Sequence, residues 1–262
     1  MTLSIAIHGA AGRMGKRLIA LASADNTLKV AAALESAEHP QLGQDAGTLA
    51  GAGPLGVPIS ASLDVPADVL IDFSVPEAFN PLLEICLARR VPLVVATTGL
   101  SSEQIEQIRR AAATIPIVWA PSMSLAVNLT MKLAEQAAKA LADKDADVEI
   151  IERHHRFKED APSGTALKFG QIIVAQMNQT TAVHGRQGRP GPRPHGEIGY
   201  HAVRVGDNPG EHTIIFGMLG ETIELTVRAS NRDCYAVGAL AAAKFVAKQP
   251  PGLYNMNDVL GL

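Results

Sequence analysis

Apolar residues recur along this chain in two patterns, and the change from one to the other divides it. In the first half, short aliphatic runs alternate with stretches of helical period. Leu3, Ile5 and Ile7 predict a strand, and Lys16–Ala22 carries a helical stripe. A second apolar run, Leu28 to Leu34, is closed by Glu35. Residues 36 to 66 are broken by Gly43, Gly47, Gly51, Gly53, Pro54, Gly56, Pro58 and Pro66, which predicts loop. Val69–Phe73, Val91–Thr97 and Ile115–Ala120 then predict strands, separated by helices over Pro76–Ala88 and from Ser101 or Ser102 to Ala113. Ser101 or Ser102 caps the latter, with Glu103 supporting its first turn. Such alternation predicts a parallel sheet with helices on both faces, a Rossmann-like α/β domain.

From Ala126 the pattern changes. A long helix to Ala142 leads through the charged turn Asp143–Asp147 to a strand, Asp147–Ile151. Another helix runs from Ala166 to Met177, followed by a Gly/Pro/Arg loop over residues 184–196. Ile198–Val205, His212–Phe216 and Thr222–Arg228 alternate as strands with Gly-containing turns between them. That order predicts a second, α+β domain with a mixed or antiparallel sheet, beginning near Ser124. A last helix, Tyr235–Ala247, and the tail 252–256 end the chain.

Composition narrows the class. The 262 residues are 47% hydrophobic and 19% charged, as in a globular protein, but only 4% aromatic, so the core is predicted to be aliphatic. The net charge of −3 gives no electrostatic case for nucleic acid or an anionic membrane as partner. Cys86 and Cys234 lie far apart without metal-ligand spacing, which predicts buried free thiols in a reducing cytosol. Met1–Ile5 runs into a strand without a basic region, and no charge-free apolar run reaches the length of a membrane span. A cytoplasmic protein is expected.

Two stretches carry candidate chemistry. The first is Gly9-Ala10-Ala11-Gly12-Arg13-Met14-Gly15, placed between a strand and a helix. Gly9 allows the tight turn, Gly12 lets a pyrophosphate approach the backbone, and Gly15 lets helix and strand pack closely. Free N–H groups and the positive helix end would face the phosphates. Glu35 would accept from the ribose hydroxyls, which favours NADH. The next residue, Ser36, brings no cation to a 2′-phosphate; Arg13 or His39 could reach one, so NADPH stays open. Phe73-Ser74, Ala96–Gly99 and Ala120–Met123 sit at strand carboxyl ends, where such sheets bind ligands.

The second stretch, Glu152-Arg153-His154-His155-Arg156-Phe157-Lys158-Glu159-Asp160-Ala161-Pro162-Ser163-Gly164-Thr165, reads as a strand-to-helix loop. A hydride from a nicotinamide must be matched by a proton, and histidine titrates near neutrality. Lys158 can donate a proton or hold a carboxylate. Ser163, Gly164 and Thr165 begin the next helix, where N–H groups and hydroxyls make an anion pocket. The set suits a small substrate with one or two carboxylates and an electron-poor double bond. Neighbouring histidines at a strand end point to opposite sides, which weighs against a shared metal. Arg153, Arg156 and Glu159 read as solvated charge. Asp160 either caps the helix or braces Lys158. Arg186 and Arg189 read equally as surface, subunit-contact or substrate residues.

These two motifs, with Gly196-Glu197-Ile198-Gly199, Gly210-Glu211-His212-Thr213 and the ending Gly252–Leu260, resemble the dihydrodipicolinate (4-hydroxy-tetrahydrodipicolinate) reductase family over the whole chain. The resemblance implies NAD(P)H-dependent reduction in lysine and diaminopimelate biosynthesis. It implies His154 and Lys158 as catalytic donors, with His155, Ser163, Gly164 and Thr165 against the substrate. It assigns the cofactor to residues 9–15, Glu35, Phe73, Thr97, Thr98, Gly99, Ala120, Pro121, Ser122 and Met123. Ser122 stands where the family pattern often carries Asn. The resemblance further implies a dinucleotide-binding domain over residues 1–123 and 234–262, a substrate and tetramerisation domain over 124–233, a hinge that brings the two motifs together, and a homotetramer. Two other readings fit the residues: an NAD(H) sensor without turnover, and a reductase of another small imine or carbonyl acid.

Overall fold

A computed structural model describes residues 2–262. It forms two compact units, Met1–Leu125 joined by Arg232–Leu262, and Ala126–Asn231. In chain order the first unit begins with β1 (Leu3–His8), α1 (Arg13–Ser23), β2 (Leu28–Leu34), α2 (Ala46–Leu49) and β3 (Ile59–Ser60). It continues with β4 (Val69–Asp72), α3 (Pro76–Arg89), β5 (Leu93–Val95), α4 (Ser102–Ala111) and β6 (Pro116–Trp119). The second unit holds α5 (Leu125–Leu141), β7 (Asp147–His154), α6 (Gly164–Val174), β8 (Thr181–His184), β9 (Glu197–Arg204), β10 (Glu211–Met218) and β11 (Glu221–Arg228). The chain then returns to the first unit with α7 (Asp233–Val246), β12 (Gly252–Tyr254) and α8 (Met256–Leu260).

The first unit is a seven-stranded parallel sheet in the order β12-β6-β5-β4-β1-β2-β3. Strand alternation sorts its aliphatic residues into two cores. Ile5, Ile7, Val69, Ile71 and Val94 face one cluster with Leu18, Ile19, Ala239 and Ala243 of α1 and α7. Ala6, Leu70, Leu93 and Val95 face the other, with Phe79, Leu83 and Ile108 of α3 and α4. Both faces being covered explains why β4 is apolar throughout its buried length up to Asp72. Ser101 is the N-cap of α4, Glu103 lies in its first turn as expected, and Gln104 completes a capping box with the cap. The predicted loop 36–66 contains the short α2 and β3, and the tail adds β12 as a new sheet edge beside β6. Helix α7 lies so close to the 123–125 segment that a Cβ on Gly238 would stand 1.7 Å from the Met123 carbonyl oxygen.

The second unit is a five-stranded mixed sheet, β11-β10-β7-β9-β8, with β10 antiparallel to both neighbours. Helices α5 and α6 cover one face, packing Ala134, Ala138, Phe169 and Ile173 against Val148, Ile150, Ile198, Ile214 and Phe216. Gly170 leaves room for the Tyr200 ring, whose hydroxyl would otherwise collide with its side chain. The opposite face carries Glu149, Ile151, Arg153 and Ile215, with Glu224, Thr226 and Arg228 exposed on β11. There Arg186 pairs with Glu149 and Glu197, each at 2.9 Å, and Arg193 and His201 also hold Glu149, at 3.0 and 2.7 Å. Burial opposes the Glu149 charge, but these partners outweigh it and hold its pKa at about 2. Strand β8 was not predicted: Thr181–His184 is too short and too polar to show alternation. Strand β7 runs three residues beyond the predicted Ile151, through Glu152 and Arg153 to His154. Among the described residues, no helix is long and apolar enough to cross a membrane.

The tight α7 packing makes a test. Gly238→Ala should destabilise the protein by about 1–3 kcal/mol, the usual cost of overpacking, and calorimetry should show a lower thermal midpoint. An unchanged midpoint would mean that α7 can move away from the 123–125 segment without loss.

Candidate active site

The longer β7 changes the reading of the central stretch. Residues two apart on a strand share a face, so Glu152 and His154 lie together on the side covered by α5 and α6. Glu152 is 1% exposed and His154 is 8% exposed. The His154 Nδ1 stands 2.6 Å from Glu152 Oε2. Arg204, opposite His154 in the β7–β9 register, donates from Nη1 to Glu152 Oε2 at 2.8 Å and from Nη2 to Oε1 at 2.7 Å. The Ser163 N–H donates to Oε1 at 3.0 Å. Burial disfavours the Glu152 charge, but Arg204, His154 and the Ser163 N–H more than compensate and bring its pKa below the usual value. Glu152 is therefore a carboxylate, the Nδ1 of His154 carries the proton it donates to it, and Nε2 is the nitrogen left for chemistry.

The environment of Nε2 is shaped by the start of β10. A Cβ on Gly210 would lie 3.0 Å from His154 Nε2, so glycine keeps that side of the ring clear. His212 meets His154 edge to face, with centroids 5.2 Å apart. Burial, then the charge of His154, pushes the His212 pKa down to about 4, so it is neutral at physiological pH. Burial also lowers the pKa of His154; Glu152 opposes this, while Lys158 and Arg204 add to it.

Lys158 pairs with Asp160 at 2.7 Å, so Asp160 braces Lys158 and does not cap the helix. The cap is Ser163, whose Oγ accepts from the Ala166 N–H at 3.1 Å and lies 2.9 Å from His212 Nε2. The Ser163 hydroxyl is thus engaged inside the protein. The next two residues differ. The N–H groups of Gly164 and Thr165 meet no acceptor among the described residues, and the Cβ position of Gly164 opens onto free space. At the start of α6 they present a pair of open N–H donors, the kind of group that can receive an anion. His155 is half-buried, tilted against Phe157, and its Nδ1 has no partner among the described residues.

In the first unit the glycine turn has the shape a dinucleotide needs. Gly9 has φ +75°, and a Cβ there would sit 2.5 Å from the Phe73 carbonyl oxygen. A Cβ on Gly15 would lie 2.2 Å from the Gly9 carbonyl oxygen. Gly12 caps α1 without a side chain, which leaves the N–H groups of Arg13, Met14 and Gly15 without acceptors among the described residues. Glu35 Oε1 accepts from the Ala11 N–H at 2.9 Å, so the same carboxylate also props the turn. A pyrophosphate on the free N–H groups and a ribose at Glu35 fit these residues.

Beneath the turn lies Asp72, fully buried at the end of β4. It holds His8 Nδ1 at 2.8 Å, the Ser74 hydroxyl at 2.6 Å and the Thr97 hydroxyl at 2.7 Å. The end of β1 and the loops after β4 and β5 are tied to one carboxylate. The Thr97 hydroxyl therefore points inward, and the side chains of Ala10, Ala120 and Met123 are in the core. Arg13, Thr98, Gly99 and Pro121 are exposed; Phe73, Ser122 and Met14 are half-buried. Sequence reasoning gave no role to Glu152, Arg204, His212, Gly210 or Asp72. Alternation extended by three residues would have placed Glu152 beside His154. Arg204 and His212 come from other strands, and only sheet register brings them in.

Two family models match the chain: dihydrodipicolinate reductase, N-terminus, over residues 3–123, and dihydrodipicolinate reductase, C-terminus, over residues 126–260. The chain is 59% identical to the 4-hydroxy-tetrahydrodipicolinate reductase of Rhodopirellula baltica, over 99% of this chain and 96% of that protein. It is 48% identical to the enzyme of the same name from Alkalilimnicola ehrlichii, over 100% of both chains. Among solved structures it is similar to a dipicolinate-bound dihydrodipicolinate reductase from Paenisporosarcina sp. TG-14, with a TM-score of 0.80, 27% identity, and 97% and 98% of the two chains covered. Matched end to end by both models and by close relatives, the chain belongs to the dihydrodipicolinate reductase family.

Proposed function

We propose that this protein reduces 4-hydroxy-tetrahydrodipicolinate to tetrahydrodipicolinate with NAD(P)H, in lysine and diaminopimelate biosynthesis. Its relatives are named for this activity. The observation that carries the reading is the pairing of a carboxylate-held His154 with the open N–H groups of Gly164 and Thr165 at the start of α6. One can donate a proton and the other can hold a carboxylate. The nicotinamide supplies a hydride to the substrate ring. The oxygen lost between the 4-hydroxy-tetrahydro and tetrahydro rings leaves as water.

The residues divide the remaining work. The N–H groups of Gly164 and Thr165, with the Thr165 hydroxyl and His155, bind a substrate carboxylate at the positive end of α6. Ser163 contributes by capping that helix. His154 delivers a proton from Nε2, and Lys158, braced by Asp160, is the second donor. Residues 9–15 and Glu35 hold the dinucleotide, with Phe73, Thr97 to Gly99 and Ala120 to Met123 at the strand ends around it. Glu35, fixed at the turn by the Ala11 N–H, and Ser36, which brings no charge, favour NADH over NADPH. The first unit is accordingly the dinucleotide-binding domain and the second the substrate domain. The sheet face of the second unit that carries Ile151, Ile215 and the exposed β11 residues supports assembly into a homotetramer. The free Cys86 and Cys234 suit a cytoplasmic setting.

Pyridine-2,6-dicarboxylate should inhibit competitively against substrate, and no inhibition at millimolar concentration would count against the carboxylate site. His154→Ala and Lys158→Ala should each lower kcat by about 10²-fold or more, with NADH affinity nearly unchanged; two variants of undiminished kcat would remove both donors from the mechanism. In a coupled assay fed with the aldolase product of pyruvate and aspartate semialdehyde, kcat/KM for NADH should exceed that for NADPH. The opposite order would show that Arg13 or another cation reaches the 2′-phosphate. Nucleotide binding without turnover would identify a sensor, and turnover of a different imine or carbonyl acid would identify another reductase.

A further inference from the structure

The carboxylate of Glu152 is the meeting point of two functions assigned above to separate residues. It receives four donors: His154 Nδ1, both terminal nitrogens of Arg204 and the Ser163 N–H. An ionised carboxylate is acceptor-only and has room for about four such bonds. No other side chain of similar size satisfies this set. A glutamine would turn an N–H donor toward Arg204 or toward His154, and a donor buried against a donor is strongly disfavoured. Arg204 extends the arrangement, since its Nη2 also donates to the Asp160 carbonyl oxygen at 2.5 Å, and Asp160 holds Lys158.

We propose that Glu152, gripped in a fork by Arg204, is the positioning residue of the reaction: it fixes His154 as the Nδ1–H tautomer, so that Nε2 is the donating nitrogen, and anchors the start of α6 with the same carboxylate. The claim rests on the proposed role of His154 as proton donor. The groups facing the ring are Glu152 from its own strand, Arg204 from β9, His212 from β10 and Lys158 from the following loop. Arg204 and Lys158 are cations, and His212 is neutral at physiological pH. Glu152 is the anion among them, and it stabilises the imidazolium that must form before a proton can be given.

The test reads the tautomer directly. In ¹H–¹⁵N spectra of the full-length protein at pH 8, the His154 ring, assigned by its loss in His154→Asn, should show a protonated Nδ1 and an unprotonated Nε2. Glu152→Gln should abolish that preference and lower kcat/KM roughly tenfold or more, with NADH affinity held within about twofold. Removing a single neighbouring anion moves a pKa by about one unit or more, so the fall of kcat/KM with rising pH should begin about one unit lower in the variant. A wild-type ring protonated at Nε2 overturns the proposal, as does a Glu152→Gln protein with an unchanged tautomer and pH profile. If the variant does not fold, the wild-type spectrum alone still decides. Because the spectrum needs no substrate, it stands even if the ring reduced by this enzyme proves to be a different one.

Discussion

A buried carboxylate that is fully satisfied by donors is the constraint on which the second unit depends. Taking Glu152 and Arg204 out of water costs about as much as their attraction returns, so a pair of this kind adds little net stability. What it adds is direction. The fork of Arg204 fixes the plane of the Glu152 carboxylate, and that plane fixes the His154 ring. The Ser163 N–H, bound to the same oxygen as one arm of the fork, sets the helix start that leaves Gly164 and Thr165 open to an anion. The proposed proton donor and the proposed carboxylate pocket thus hang on one anchor, and neither can shift without disturbing it.

The first unit uses the same device. Asp72 is wholly buried at the end of a strand whose other residues are aliphatic, and it ties the end of β1 to the loops that follow β4 and β5. Loops that bear function need rigid support, and a parallel sheet supplies it at the carboxyl ends of its strands. The glycine turn adds close backbone approach at Gly9 and Gly15, where a side chain would strike main-chain atoms. With few aromatics available, the packing around these polar anchors is left to Val, Ile, Leu and Ala, and the strict alternation of β1 and β4 between two cores shows how well short strands do this.

The sheet of the second unit is two-sided in chemistry as well as in shape. One face is an aliphatic core under α5 and α6. The other holds Glu149 among Arg186, Arg193 and the β9 residue His201, and the two arginines staple the 185–196 loop back onto the strands. Arg186, which the sequence left open between surface, subunit contact and substrate, is committed to this staple. Its charge is largely cancelled by Glu149 and Glu197, so it has little left to offer a dicarboxylate.

Most of the architecture is legible in local sequence pattern. Period-two and period-3.6 patterns marked the long elements, the Gly9–Gly15 turn announced its strand–turn–helix context, and the dense stretch from Glu152 to Thr165 pointed to the candidate site. Those signals are local, because they rest on neighbouring residues sharing a face or a turn. Short or polar pieces such as α2, β3 and β8 were missed, since a few residues cannot display a period. The end of β7 was missed because Glu152, Arg153 and His154 look like loop by composition, yet they pair with β9 and β10 as ladder residues. The groups that surround His154 come together only in the folded chain. Arg204 and His212 lie about 50 residues downstream, and nothing in their local pattern marks them. Strand register placed them there, and burial then fixed which of the clustered groups carries charge.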